Sequence, residues 1–118
     1  MTDAVTIYHN PRCSKSRDTL SLLKANGIEP EVVLYLETPA SADTLRELLS
    51  MLGMTSAREL MRQKEELYKT LKLDDSHLTE EELVQAMVEN PRLMERPIVV
   101  AKGKARIGRP PEQVLEIV

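Results

Sequence analysis

The chain has no tryptophan, no phenylalanine and a single cysteine. Its core must therefore be built from Leu, Val, Ile and Met. One cysteine excludes an internal disulfide and a cysteine-rich zinc site. With His9 and His77 as the only histidines, the spacing of Cys and His matches no common metal site, so no metal is expected. No apolar stretch approaches the length needed to cross a bilayer, so no membrane contact is expected. Met1-Thr2-Asp3-Ala4-Val5 has no basic n-region followed by an apolar run, hence no signal peptide is expected. A lone thiol without an export signal points to a cytoplasmic location, where thiols stay reduced. A net charge of −3 lacks the basic excess that general nucleic-acid binding needs. A length of 118 residues with 42% hydrophobic content suits one domain over residues 1–118 and gives no sign of disorder.

The informative stretch runs from Ile7 to Arg17. Val5-Thr6-Ile7-Tyr8 reads as a short strand, and Asn10-Pro11 breaks it. From Ser14, Leu20, Leu22, Leu23 and Ala25 recur at helical spacing until the Asn26-Gly27 C-cap signal. Cys13 thus falls where a strand meets the first turn of a helix. Unpaired amide N–H groups and the helix dipole favour an anion there, and Arg12, Lys15 and Arg17 add positive charge. A lone cysteine is more commonly a small buried apolar residue. Here its neighbours are Arg12, Ser14, Lys15 and Ser16, which favours a nucleophilic thiol of lowered pKa.

Glu31-Val32-Val33-Leu34-Tyr35-Leu36 reads as a second strand, apolar enough to be internal and parallel to the first across a βαβ crossover. Ser41 caps a helix with Leu45, Leu48, Leu49 and Leu52 on one face, and Gly53 ends it. Ser56-Ala57-Arg58-Glu59 is a capping box that opens a second short helix, with Leu60, Met61, Leu67 and Tyr68 toward its buried side. Residues 71–78 read as irregular. Thr79-Glu80-Glu81-Glu82 is another capping box, followed by Leu83, Ala86 and Met87 on an inner face and a stop at Asn90-Pro91. Ile98-Val99-Val100-Ala101 is a strand that turns at Lys102-Gly103 into a hairpin partner. Pro110-Pro111-Glu112 leads into a last helix carrying Val114, Leu115, Ile117 and Val118. The order is β-α-β, helices, β-β-α. It predicts an α/β fold of thioredoxin-like type, a four-stranded mixed sheet with a helical insertion between the β-α-β and β-β-α parts.

Several residues can join Cys13. Pro97 opens a strand and follows Arg96, while Arg109 sits in a Gly-Arg-Pro turn. Ligands of open α/β sheets gather near strand ends, where a guanidinium can fork onto an oxyanion. For any one arginine a solvated surface charge is the commoner role. His9 lies four residues before Cys13 and could tune the thiolate, although a strand-end histidine satisfied by backbone is equally open. Cys13-Ser14-Lys15-Ser16 is Cys-x-x-Ser, which forbids an internal dithiol. Any redox cycle through Cys13 needs a thiol from outside. Position 19 is Thr, so a phosphatase-type loop of Cys, five residues and Arg is absent, as is a nucleotide-binding Gly-rich loop.

Four blocks in order carry a resemblance: Ile7 to Arg17, Leu34-Tyr35-Leu36-Glu37-Thr38-Pro39, Arg96-Pro97-Ile98-Val99-Val100, and Arg109-Pro110 followed by Val114-Leu115-Glu116-Ile117. Together they resemble the glutaredoxin-dependent arsenate reductase (ArsC) family, of thioredoxin-like fold, essentially end to end. The resemblance implies that Cys13 attacks arsenate and that Arg62, Arg96 and Arg109 hold the oxyanion. It implies supporting roles for His9, Ser16, Arg17 and Pro97. It also implies no bound cofactor, glutathione as the co-substrate that resolves the adduct, and glutaredoxin as the partner that supplies electrons. Arg62 is selected by the resemblance alone. Ser14 stands where efficient members of the family tend to have glycine. Two other classes compete: an Spx-like redox regulator of transcription, whose Cys-x-x-Cys switch is missing here, and a thiol protein acting on a different oxyanion.

Overall fold

The computed structural model describes residues 4–118, and the leader reading at Met1-Thr2-Asp3 lies outside them. Two compact units are distinguished: residues 1–38 with 96–118, and residues 39–95.

The first unit contains the sheet. Strand β1 (Val5–Tyr8) is followed by α1 (Ser14–Ala25) and β2 (Glu31–Val33); later come β3 (Ile98–Ala101) and β4 (Lys104–Ile107). The strand order is β2-β1-β3-β4. β1 runs parallel to β2 and antiparallel to β3, and β3 is antiparallel to β4, which makes the sheet mixed. Lys102 and Gly103 both have positive φ (56° and 75°), the backbone a tight two-residue hairpin of matching twist requires. One face of the sheet is packed by α1 and the closing segment, where Ile7, Leu23, Val99, Ala101, Val114 and Ile117 form a continuous buried cluster. Burying such a set of aliphatic side chains contributes roughly 1.5–3 kcal/mol for each large one.

Three details differ from the sequence reading. β2 ends at Val33 rather than Leu36, because the Leu34 carbonyl accepts from the amides of Glu37 and Thr38 and closes a turn (2.9 and 2.8 Å). β2 is also an edge strand, with Val32 42% exposed, so its apolar character does not make it internal. The closing helix over Pro111–Glu116 is a 3-10 helix. Bonds of the i to i−3 kind, from Gln113 N to Pro110 O and from Ile117 N to Val114 O, wind it more tightly than an α-helix.

The second unit is helical. α2 (Ala42–Leu52) starts at Ser41, whose hydroxyl accepts from Thr44 N, and ends at Gly53 in the left-handed region (φ 73°). A 3-10 segment (Ala57–Leu60), α3 (Glu66–Thr70) and α4 (Glu80–Glu89) follow, with a further 3-10 turn at Pro91–Leu93. Both capping boxes form, at Ser56/Glu59 and at Thr79/Glu82. The helix opened by Ser56 is shorter than the sequence reading suggests, since Met61 pairs with Met94 in an isolated antiparallel bridge and the chain is extended there. Glu80 explains part of this geometry: its carboxylate accepts from Ala57 N (2.7 Å) and Ser56 Oγ (2.8 Å).

Gly108, buried at the end of β4, fits where no side chain can. A Cβ there would overlap Thr19 Oγ1 of α1 and stand 2.8 Å from Pro97 Cγ. Gly108→Ala should lower stability by about 1–3 kcal/mol. In chemical denaturation, adding Thr19→Ala should restore part of that loss; strictly additive effects would show that this contact is not the cause.

Candidate active site

Cys13 occupies the N-cap of α1 in extended backbone (φ −95°, ψ 124°), is partly exposed, and is the chain's free thiol. The Asn-Pro break places it there. The Asn10 side chain accepts from Arg12 N (3.0 Å) and the Asn10 carbonyl accepts from Cys13 N (3.0 Å), a local turn of the kind asparagine favours. Cys13 O then accepts from Arg17 N and starts the helix.

The first turns of α1 grip the loop from behind. Ser16 is fully buried; its hydroxyl lies 2.6 Å from His9 Nδ1 and accepts from Asn10 N (3.0 Å). Arg17 donates to the Pro11 carbonyl (2.9 Å). His9 is itself anchored by its amide, which donates to Val33 O of β2 (2.9 Å). Burial lowers the His9 pKa below 6.5, and the charges of Arg17 and Lys24 push it the same way. At neutral pH the imidazole is therefore uncharged, and its role here is to hold the loop through Ser16 rather than to supply positive charge.

Opposite the helix terminus stand the two arginines of the second sheet portion. Arg109 Nη2 lies 3.6 Å from Cys13 Sγ. Its Nε donates to the Arg96 carbonyl (2.9 Å), which fixes the plane of the guanidinium. Gly108 N donates to Pro97 O (2.9 Å), tying the Arg109 loop to the start of β3. Both Arg96–Pro97 and Arg109–Pro110 are cis. Partial burial pushes the Cys13 thiol up, but the amides of Ser16 and Lys15 and the charges of Arg96 and Arg109 outweigh it. The net pKa lies below the ordinary value. These interactions favour the deprotonated sulfur over the neutral thiol.

One unit thus brings together His9, Cys13, Ser16, Arg17, Arg96, Pro97 and Arg109. Arg62 belongs to the helical unit and lies beyond the 3-10 segment rather than within a helix, because its amide donates to Leu93 O (2.7 Å) beside the Met61–Met94 bridge. Its guanidinium pairs with Glu65 (3.5 Å), which also accepts from Arg92 (2.7 Å). Sequence reasoning missed Asn10 and Thr19. The Asn-Pro pair hinted at the first; Thr19, which donates to Lys15 O and packs against the Gly108 backbone, carries no local signal. Among the described residues no group of three His, Cys, Asp or Glu side chains is placed to hold a metal, and no helix is long and apolar enough to cross a membrane.

The buried His9–Ser16 pair gives two predictions. Ser16→Ala leaves the buried His9 Nδ1 and the part-buried Asn10 amide without this partner and should cost about 1–3 kcal/mol by chemical denaturation. Because His9 is held below 6.5, the unfolded chain binds the extra proton first. Stability from this group is complete above pH 6.5 and falls as the pH drops toward the folded-state value. Denaturation between neutral and mildly acidic pH should show this slope in the parent and a shallower one in His9→Asn; equal slopes would exclude a buried neutral His9.

Comparison with known proteins agrees with this geometry. The model of the ArsC family matches residues 8–117. An arsenate reductase of Haemophilus influenzae is 52% identical over 114 residues, covering 97% of this chain and 98% of that one. YfgD of Escherichia coli K12, described as uncharacterized, is 80% identical over 118 residues, covering 100% and 99%. The structure of an arsenate reductase from Vibrio cholerae superposes with a TM-score of 0.98 at 57% identity, covering 100% of both chains. With the family model spanning residues 8–117 and a cysteine at a helix N-terminus beside Arg109 on a mixed thioredoxin-like sheet, the chain belongs to the ArsC family.

Proposed function

We propose that the protein is a thiol-dependent oxidoreductase that reduces arsenate, or a similar tetrahedral oxyanion, through Cys13. The observation that carries this reading is the 3.6 Å approach of Arg109 Nη2 to Cys13 Sγ: a lowered-pKa thiol and an oxyanion donor share one corner. The thiolate attacks arsenic, a sulfur–arsenic bond forms, and an arsenate hydroxyl that takes a proton from solvent leaves as water. Arg96 and Arg109 offset the charge on the remaining oxygens. The resemblance to the family adds Arg62 as a third oxyanion ligand, with Glu65 as its partner within the helical unit.

The chain has one cysteine, so the adduct must be opened by an external thiol, and glutathione is proposed for that role. Its sulfur attacks Cys13 Sγ. The sulfur–arsenic bond breaks with its electron pair left on arsenic, arsenite departs, and Cys13 remains as a mixed disulfide. A glutaredoxin thiolate then attacks the glutathione sulfur and returns Cys13 to its reduced form. This cycle needs no bound cofactor and belongs in a reducing cytoplasm.

In a glutaredoxin-coupled assay, arsenate should drive consumption of glutathione and NADPH, and Cys13→Ser should abolish it. Arg109→Ala should lower kcat/KM for arsenate by roughly 100-fold, as expected for loss of a charged oxyanion donor. Turnover that survives Cys13→Ser would overturn the mechanism.

A further inference from the structure

Among the described residues, the buried polar side chains are His9, Ser16 and Thr19. The first two hold the cysteine loop; the reaction as proposed leaves Thr19 without a part. Its hydroxyl donates to Lys15 O (2.8 Å). That bond fixes the side chain on the helical turn whose Lys15 and Ser16 amides bond Cys13. The same side chain meets Gly108 across the sequence. A Cβ on Gly108 would overlap Thr19 Oγ1 and stand 3.1 Å from Thr19 Cγ2, so helix and turn touch with nothing between them. Gly108 is also held from its other side. Pro97 Cγ lies 2.8 Å from the same point, and Gly108 N donates to Pro97 O (2.9 Å). Its position passes directly to Arg109, because Arg109 N donates to Ile107 O (2.9 Å) in a three-residue turn centred on Gly108. One residue beyond the Thr19 contact, the Arg109 guanidinium reaches Cys13 Sγ.

We propose that Thr19 is a positioning residue: as a buried spacer between α1 and the Gly108 turn, it sets the separation of Arg109 Nη2 from Cys13 Sγ. The proposal rests on the reading that Arg109 acts on the Cys13 sulfur and on the oxyanion it attacks. Thr19 itself touches neither sulfur nor substrate. At 3.6 Å the nitrogen and sulfur are already in contact, so a Gly108 turn released from its spacer carries the guanidinium away. Shape is what the spacer supplies. Valine has the same branching and a strongly preferred rotamer in a helix, so it fills the space without the hydroxyl, whereas alanine leaves it empty.

The test uses the full chain and two readouts, iodoacetamide alkylation of Cys13 against pH and kcat/KM for arsenate. Thr19→Ala should raise the alkylation midpoint. It should also lower kcat/KM roughly tenfold, part of the roughly 100-fold that about 1 Å of misplacement can cost. Thr19→Val should recover most of both losses. In an Arg109→Ala background, Thr19→Ala should change neither readout further, since its effect runs through that guanidinium. A purely structural role predicts the same proportional loss with or without Arg109, and that result would overturn the proposal. So would a parental midpoint in Thr19→Ala, or a Thr19→Val variant as impaired as Thr19→Ala. Alkylation requires no turnover, so failure of the spacer and failure of arsenate reduction are separately visible.

Discussion

A thiol at the start of a helix, its pKa lowered by its surroundings, is the constraint around which the sheet unit is arranged. Burial alone raises a thiol pKa, and partial burial of Cys13 does act in that direction. Amides of the first helical turn and two guanidinium groups reverse it. The two sources differ in kind. The amides come free with the α1 N-terminus, whereas Arg96 and Arg109 arrive from chain more than eighty residues on. Only the sheet order, with β3 beside β1, makes that encounter possible.

Lowering that pKa therefore means holding three pieces of backbone in register. The cysteine loop is clamped from within α1 by Ser16 and Arg17. The Arg109 loop is tied by Gly108 to Pro97, and Gly108 lies against Thr19 with no room for a Cβ. Arg109 in turn is oriented by a carbonyl of Arg96. The ties within the cysteine loop and the contact with Thr19 lead back to the helix that carries the thiol, and the other two join the Arg96 and Arg109 segments to each other. Paired polar groups of this kind hold the loops in place.

Much of this was legible in local sequence, for identifiable reasons. Capping residues such as Ser41, Thr79 and Gly53 act through their nearest neighbours, and the structure uses them as read. The Asn10-Pro11 break and the polar run around Cys13 were likewise local. Leu34-Tyr35-Leu36 misled because a short apolar run does not distinguish a strand from a packed turn, and edge position depends on strand order. The closing segment has helical spacing of apolar residues, but spacing alone does not separate a 3-10 helix from an α-helix over so few residues. Arg62 had no physical signature, and its place beyond a 3-10 segment follows from a bridge to residue 94. Gly108 and Thr19 meet across 89 positions, a distance at which pattern reasoning is blind.

The most direct measurement is the alkylation rate of Cys13 against pH, taken with and without arsenate, in the parent and in the Arg96→Ala/Arg109→Ala double variant. An anion held by amides and guanidinium groups requires a midpoint below the ordinary thiol value of about 8.5, protection by arsenate, and a rise of the midpoint in the double variant. A midpoint at the ordinary value, indifferent to arsenate and to loss of both arginines, would contradict it.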